Sequence, residues 1–286
     1  MHRSFRQMKL LSLPASLQEI PDPPKLLYIE GELPPQTDTY LAVVGSRKMS
    51  AYGKRVCQQL VLGLRGSPVV VVSGLALGID SVAHESALEA GIKTIAVLPS
   101  GLAENAIYPS AHRSLAHRIV QAGGALVSEY EPEEKPRHWT FLERNRIVAG
   151  LCRATLVIEA SERSGALVTA KLALEYNRDV FAVPHPIESE TGSGTNALIR
   201  RGATLIRSSA DILDSLNLVP ESFVQTLPLA DLSDNELLVY EALSEARDRG
   251  ELQELTGLPQ QKLNVAISLL SIKGVIAEEL GKLVRI

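Results

Sequence analysis

Cysteine is almost absent. Cys57 and Cys152 are the only two in 286 residues, too few for a disulfide framework and without the paired spacing of a metal site. Long apolar runs are absent too: those present, such as the valines at 69–72 and Thr94 to Leu98, are strand-length and far short of the roughly 20 residues that cross a bilayer. No membrane span is expected. The opening segment, MHRSFRQMKLLSLPASL, has basic residues but no sustained apolar stretch, and Pro14 interrupts its apolar end, which argues against a secretory leader. These absences point to a cytoplasmic protein. There is no excess of positive charge either. The net charge is −4, and residues 231–286, with ten Asp/Glu against six Lys/Arg, carry all of it. A polyanion site must therefore be a local patch. Candidates are Arg47 and Lys48, then Arg137 through Arg153, then Arg163, Lys171, Arg200 and Arg201.

Enzyme signatures are missing as well. There is no GxxxxGK[ST] phosphate loop and no GxSxG nucleophile elbow. Gly192 to Ala197 matches GxGxx[GA], but late in the chain and well after its strand, not in the first strand–helix turn. The histidines at 84, 112, 117, 138 and 185 form no HxxxH or HExxH group. Asp80 and Glu159 end or follow strands and could act as bases, yet each serves equally as a helix cap or turn acid. No catalytic set, cofactor or metal is expected.

What is present is an alternation. Apolar strands read at 41–45, 69–72, 94–98, 125–127, 155–160, 179–184 and 203–206, with helical patterns at 51–65, 81–90, 111–122, 142–150, 165–177, 195–201 and 209–216. Buried β-branched strands alternating with helices specify an α/β fold with a doubly wound parallel sheet. Almost every strand runs out into Ser or Gly: Gly45-Ser46-Arg47, Ser73-Gly74, Ser100-Gly101, Ser128, then Ser161 with Ser164-Gly165. In such sheets ligands bind beyond the carboxyl ends of the strands, where helix N-termini offer free N–H groups. Capping and tight turns explain any one of these sites without a ligand. Five on one edge, joined by Arg47, Arg144 and Arg146, read as an anion-binding crest. Within FLERNRIVAG (141–150), Phe141 can stack on a base while Arg144 and Arg146 hold phosphate.

These segments also carry a resemblance. VVGSRKMSAYG, VVVSGLALGIDSVAH, TIAVLPSGLAENAIYP, LVSEY, FLERNRIVAGL, LVIEASERSGALVTAKLALEYNRDVFAVP and GTNALIRRGAT together resemble the DNA processing protein A family, also called DprA or Smf, over about residues 15–216. The resemblance implies an extended Rossmann-like domain that binds single-stranded DNA, forms a homodimer and helps load the RecA recombinase during natural transformation, without enzymatic activity. It implies DNA contacts for Arg47, with Gly45 and Ser46, for Phe141, Arg144, Asn145 and Arg146 of the FxxRNR segment, and for Ser164, Gly165 and Thr169 of the SGxLxT turn. Lys171 stands where members often have a basic residue, and Ser73-Gly74 closes the crest.

There are three departures. Leu142 and Glu143 follow the Phe where Pro is common, His185 replaces the Gly of VPG, and the chain begins almost at the strand-rich core, without the helix-hairpin-helix module of many members. The expected organisation is an extension over 1–39, the DNA-binding domain at 40–216, a linker at 217–230 and a small winged-helix domain at 231–286. In the last, helices run from Ser233 to about Ala246, over 248–256 and from Pro259 to Lys273, and a hairpin comes after them around Gly281. Its acidic balance, with only Lys262 and Lys273 on the third helix, favours a protein contact or a vestigial role over duplex binding. The alternative function is a nucleotide-processing phosphoribohydrolase on the same Rossmann-like scaffold. Ser164 to Glu175 lacks the tandem glycines and placed glutamate of the PGGxGTxxE signature those enzymes share.

Overall fold

The computed structural model describes residues 8–10, 13–218, 232–243, 245–273, 275–279 and 281–285. The chain divides into two compact units, Met1–Pro220 and Glu221–Ile286. In chain order the first contains β1 (Met8–Leu10), α1 (Ala15–Gln18), β2 (Leu27–Gly31), β3 (Thr39–Val44), α2 (Ala51–Leu62), β4 (Val69–Ser73), α3 (Ile79–Ala90), β5 (Thr94–Val97), α4 (Arg113–Gln121) and β6 (Ala125–Ser128). After these come α5 (Thr140–Leu151), β7 (Ala154–Val157), α6 (Gly165–Glu175), β8 (Asp179–Ala182), α7 (Ser193–Arg200), β9 (Thr204–Leu205) and α8 (Ser209–Ser215).

The strands form one nine-stranded sheet in the order β1-β2-β6-β5-β4-β3-β7-β8-β9. From β6 to β9 every pairing is parallel, whereas β2 on β6 and β1 on β2 are antiparallel. These two antiparallel strands lie within the stretch expected only to lead into the core. Both faces of the central strands are covered, which is why they read as unbroken apolar runs. Val70 and Val72 pack with Ala42 and Val44 against α5 and α6, while Val69 and Val71 pack with Leu41 and Val43 against α2 and α3. Alternate side chains of a strand point to opposite faces, so each valine pair feeds a different layer. A third cluster, including Leu98, Leu115 and Ile119, seats α4.

From β3 the chain steps outward through β4, β5 and β6, then returns to β7 on the other side of β3. The connections out of β3 and β7 therefore diverge, and a crevice opens beyond their carboxyl ends.

The second unit has its own core. It comprises α9 (Asp234–Ala242), α10 (Arg249–Thr256), α11 (Gln260–Ile272) and an antiparallel hairpin of β10 (Ile276–Glu279) and β11 (Lys282–Arg285). Capping boxes start α9 at Ser233 and Glu236 and α10 at Asp248 and Glu251. Val239, Leu252, Leu263, Leu270 and Leu283 fill the interior. The first helix of the tail thus ends at Ala242, earlier than its periodicity suggests. Of the expected linker, 219–230 lies outside the described residues, and Leu218 packs on the first unit's core. No helix among the described residues is long and apolar enough to cross a membrane.

Candidate nucleic-acid interface

A cleft of about 580 Å³ occupies this crevice. Its floor is tied across the two strand ends: the Ser46 N–H donates to the Glu159 carbonyl at 2.8 Å and the Ile158 N–H to the Val44 carbonyl at 3.0 Å. The buried Glu159 carboxylate accepts from the Ser50 N–H at 2.8 Å and so fixes the start of α2. The buried Asp80 carboxylate accepts from the N–H groups of Gly74 and Ala76, at 3.1 and 3.4 Å, and shapes the turn after β4. Both acids raised in the sequence are thus occupied in holding backbone. Burial pushes the Asp80 carboxyl up from its usual range, against the pull of Arg144 and the two N–H groups.

One face of α5 forms a wall. Phe141, Arg144, Asn145 and Val148 all line the cleft, at the i, i+3, i+4, i+7 spacing of a single helical stripe. Arg144 is only 4% exposed, and its Nη1 donates to the Val97 carbonyl at 2.5 Å. Burial holds its guanidinium down to about 10, still charged at neutral pH. It packs so closely on the β4 turn that a Cβ at Gly74 would collide with the guanidinium, hence the glycine. Arg144 is therefore a brace at the base of the cleft.

The accessible cations are Arg47 and Lys48, both exposed. The Arg47 guanidinium lies over the Phe141 ring, 4.7 Å from its centroid, and Tyr108 meets that ring edge-on at 5.6 Å. Opposite stands the N-terminus of α6, where Ser164, Gly165, Ala166 and Thr169 line the cleft and the Ser164 hydroxyl accepts from the Ala166 N–H at 3.3 Å. Its first turn holds no acid, so the positive end of the helix dipole faces the cleft unopposed by a neighbouring carboxylate of that turn. An exposed guanidinium, an aromatic ring and a helix N-terminus around one cavity can take a phosphate and a base together.

Gly45, Ser46, Arg47, Gly74, Phe141, Arg144, Asn145, Ser164, Gly165 and Thr169 are brought together here. Three other expected residues are not among the lining. Ser73 is buried, its hydroxyl donating to the Val43 carbonyl at 2.7 Å. Arg146 lies off the α5 stripe, bonded to Glu129 at 2.5 Å and facing Asp22 at 3.4 Å. Lys171 is exposed and pairs with Glu175 at 3.5 Å. Sequence reasoning missed Ala76, Glu190 and Thr191 as lining residues, and Tyr108 beside Phe141. The loop carrying Glu190 and Thr191 is anchored by His185, whose Nε2 bonds the Ile158 carbonyl at 2.9 Å while Asn196 pairs with its backbone N–H and carbonyl. A Cβ at Gly192 would collide with the His185 side chain. His185 thus pins this wall from within.

The sequence profile of the DNA recombination-mediator protein A family matches residues 8–217, nearly the whole first unit. The chain belongs to this family. Among its relatives, protein Smf of Escherichia coli is 38% identical over 281 residues, covering 96% of this chain and 75% of that protein. The DNA processing protein DprA of Streptococcus pneumoniae is 44% identical over 200 residues, 70% of each chain. The S. pneumoniae DprA crystal structure superposes with a TM-score of 0.68 at 41% identity, over 74% of both chains. DNA processing protein A of Helicobacter pylori, whose structure was described for its single-stranded DNA binding mode, gives 0.67 at 32% identity, over 75% of this chain and 97% of that one. Family membership covers the unit that contains the cleft.

Proposed function

We propose that this chain holds single-stranded DNA in the cleft between the ends of β3 and β7, protects strands taken up during natural transformation and helps load the RecA recombinase onto them. The observation that carries the reading is the exposed Arg47–Phe141 stack facing the α6 N-terminus, an arrangement with a place for one unpaired base and its phosphate. The single-strand binding described for the H. pylori relative supports it. A duplex hides the base face that Phe141 would stack on, so single strands are preferred.

The protein acts by binding and has no reaction to catalyse. It works in the cytoplasm as a homodimer, because a shallow cleft with few cations holds a strand weakly, whereas two clefts on one symmetric pair engage it at high effective concentration. The second unit is a winged helix that contacts protein rather than duplex, since Lys262 is the one cation among the outward-facing residues of α11.

The test is a fluorescence anisotropy titration with labelled oligo(dT) and with a duplex of equal length, across salt. Tight, salt-sensitive binding of the single strand and weak binding of the duplex are expected. Equal affinity for both would refute the reading.

A further inference from the structure

Trp139 is the only tryptophan in the chain, and it stands 53% exposed at the start of α5, two residues before Phe141. It is not on a loose segment. The Thr140 side chain is buried, its hydroxyl donates to the Arg137 carbonyl at 2.8 Å and accepts from the Arg137 N–H at 3.1 Å, and the Thr140 N–H donates to the same carbonyl at 3.1 Å. This closed turn holds the indole outward, with the Arg137 guanidinium over it at 5.4 Å from the ring centroid. On another side of Phe141 is Tyr108, 46% exposed. Single exposed apolar side chains are ordinary on protein surfaces. Tyr108 touches Phe141, which is already in the cleft, and Phe141 and Trp139 are each capped by an arginine; aromatic rings beside guanidiniums are the composition of a stacking platform.

We infer that the single strand continues out of the cleft over Tyr108 and Trp139, which stack further bases while Arg137 holds phosphate. The inference rests on the single-strand reading above and extends that interface from Phe141, which belongs to both. Charge limits the track. Glu143 beside it already accepts from the Tyr130 hydroxyl at 2.9 Å. Before Lys135 the chain carries Glu131, Glu133 and Glu134, which would repel a strand, so the track ends at Arg137.

Because no other tryptophan exists, the emission of the full-length chain reports on this site alone. Labelled oligo(dT) of about 4 to 16 nucleotides, the span of site sizes in single-strand binders, is titrated while anisotropy follows binding and tryptophan emission follows stacking. Short oligomers should bind without changing the emission, and longer ones should quench it. Trp139→Ala should weaken the long oligomers by about 5- to 150-fold and leave the short ones unchanged, while Trp139→Tyr should restore most of the loss. Tyr108→Ala should give a similar length-dependent loss with the Trp139 signal still available. Long oligomers that bind by anisotropy while the emission stays constant, or a Trp139→Ala variant with unaltered length dependence, would overturn the track and leave the cleft intact. No binding at any length would remove both.

Discussion

The Arg47 guanidinium carbon sits 4.7 Å from the centroid of the Phe141 ring, joining the turn after β3 to the first turn of α5 across the mouth of the cleft. Neither residue is needed for the core, and their contact is available to a ligand. Phe141→Ala should therefore weaken binding of oligo(dT) by roughly 1–3 kcal/mol with little change in the thermal midpoint. A large fall in the midpoint with affinity retained would make Phe141 a packing residue.

Arg47→Ala should reduce affinity for every single-stranded sequence alike. It should also lower the slope of log affinity against log salt by about 0.7, the contribution of one phosphate on a single strand. The check is the same titration repeated at four or five salt concentrations; an unaltered slope would mean that Arg47 touches no phosphate.

Arg144→Ala should behave differently. Its guanidinium is buried and donates to the Val97 carbonyl, and removing it leaves that buried acceptor unpaired, a loss of about 1–3 kcal/mol in folding stability. Gly74→Ala should harm the same place, because the new methyl collides with the Arg144 guanidinium; overpacking of this kind costs about 1–3 kcal/mol. Denaturant unfolding of both variants decides it, and wild-type stability in either would contradict the brace assigned to Arg144.

The first unit should lose stability in mild acid through His84. The Thr94 hydroxyl donates to the Val71 carbonyl at 2.8 Å, so it accepts from His84 Nδ1–H, and His84 Nε2 is left in the core without a partner. Burial holds the imidazole down to about 3, against 6.5 when free. The unfolded chain takes up this proton first as pH falls. The contribution of neutral His84 is therefore complete above pH 6.5 and is lost progressively between about 6.5 and 3. His84→Gln should flatten the decline of the thermal midpoint from about pH 7 to about pH 5; an unchanged profile would assign the acid sensitivity to other groups.

The central parallel strands were readable because both their faces are covered, so Val69 to Val72 form one unbroken apolar run. Leu27–Gly31 was not, since an antiparallel strand followed by no helix has no strand–helix alternation to announce it. At the cleft, residue types were legible and directions were not. Arg144 and Arg146 look equivalent in the chain, yet the helical phase sends one inward with Phe141 and Val148 and turns the other to Glu129. Counting in steps of three and four from Phe141 would have separated them. Trp139 and Tyr108 gave no periodic signal, because their exposure comes from a local turn and from a contact between residues far apart in the chain.

The most direct test of the cleft as the strand's seat is the equilibrium affinity of the Arg47→Ala, Phe141→Ala double variant for oligo(dT), measured beside its thermal midpoint. A folded variant should bind at least about tenfold more weakly than the wild type, a loss of about 1.4 kcal/mol or more. Wild-type affinity in that folded variant would place the strand elsewhere on the molecule.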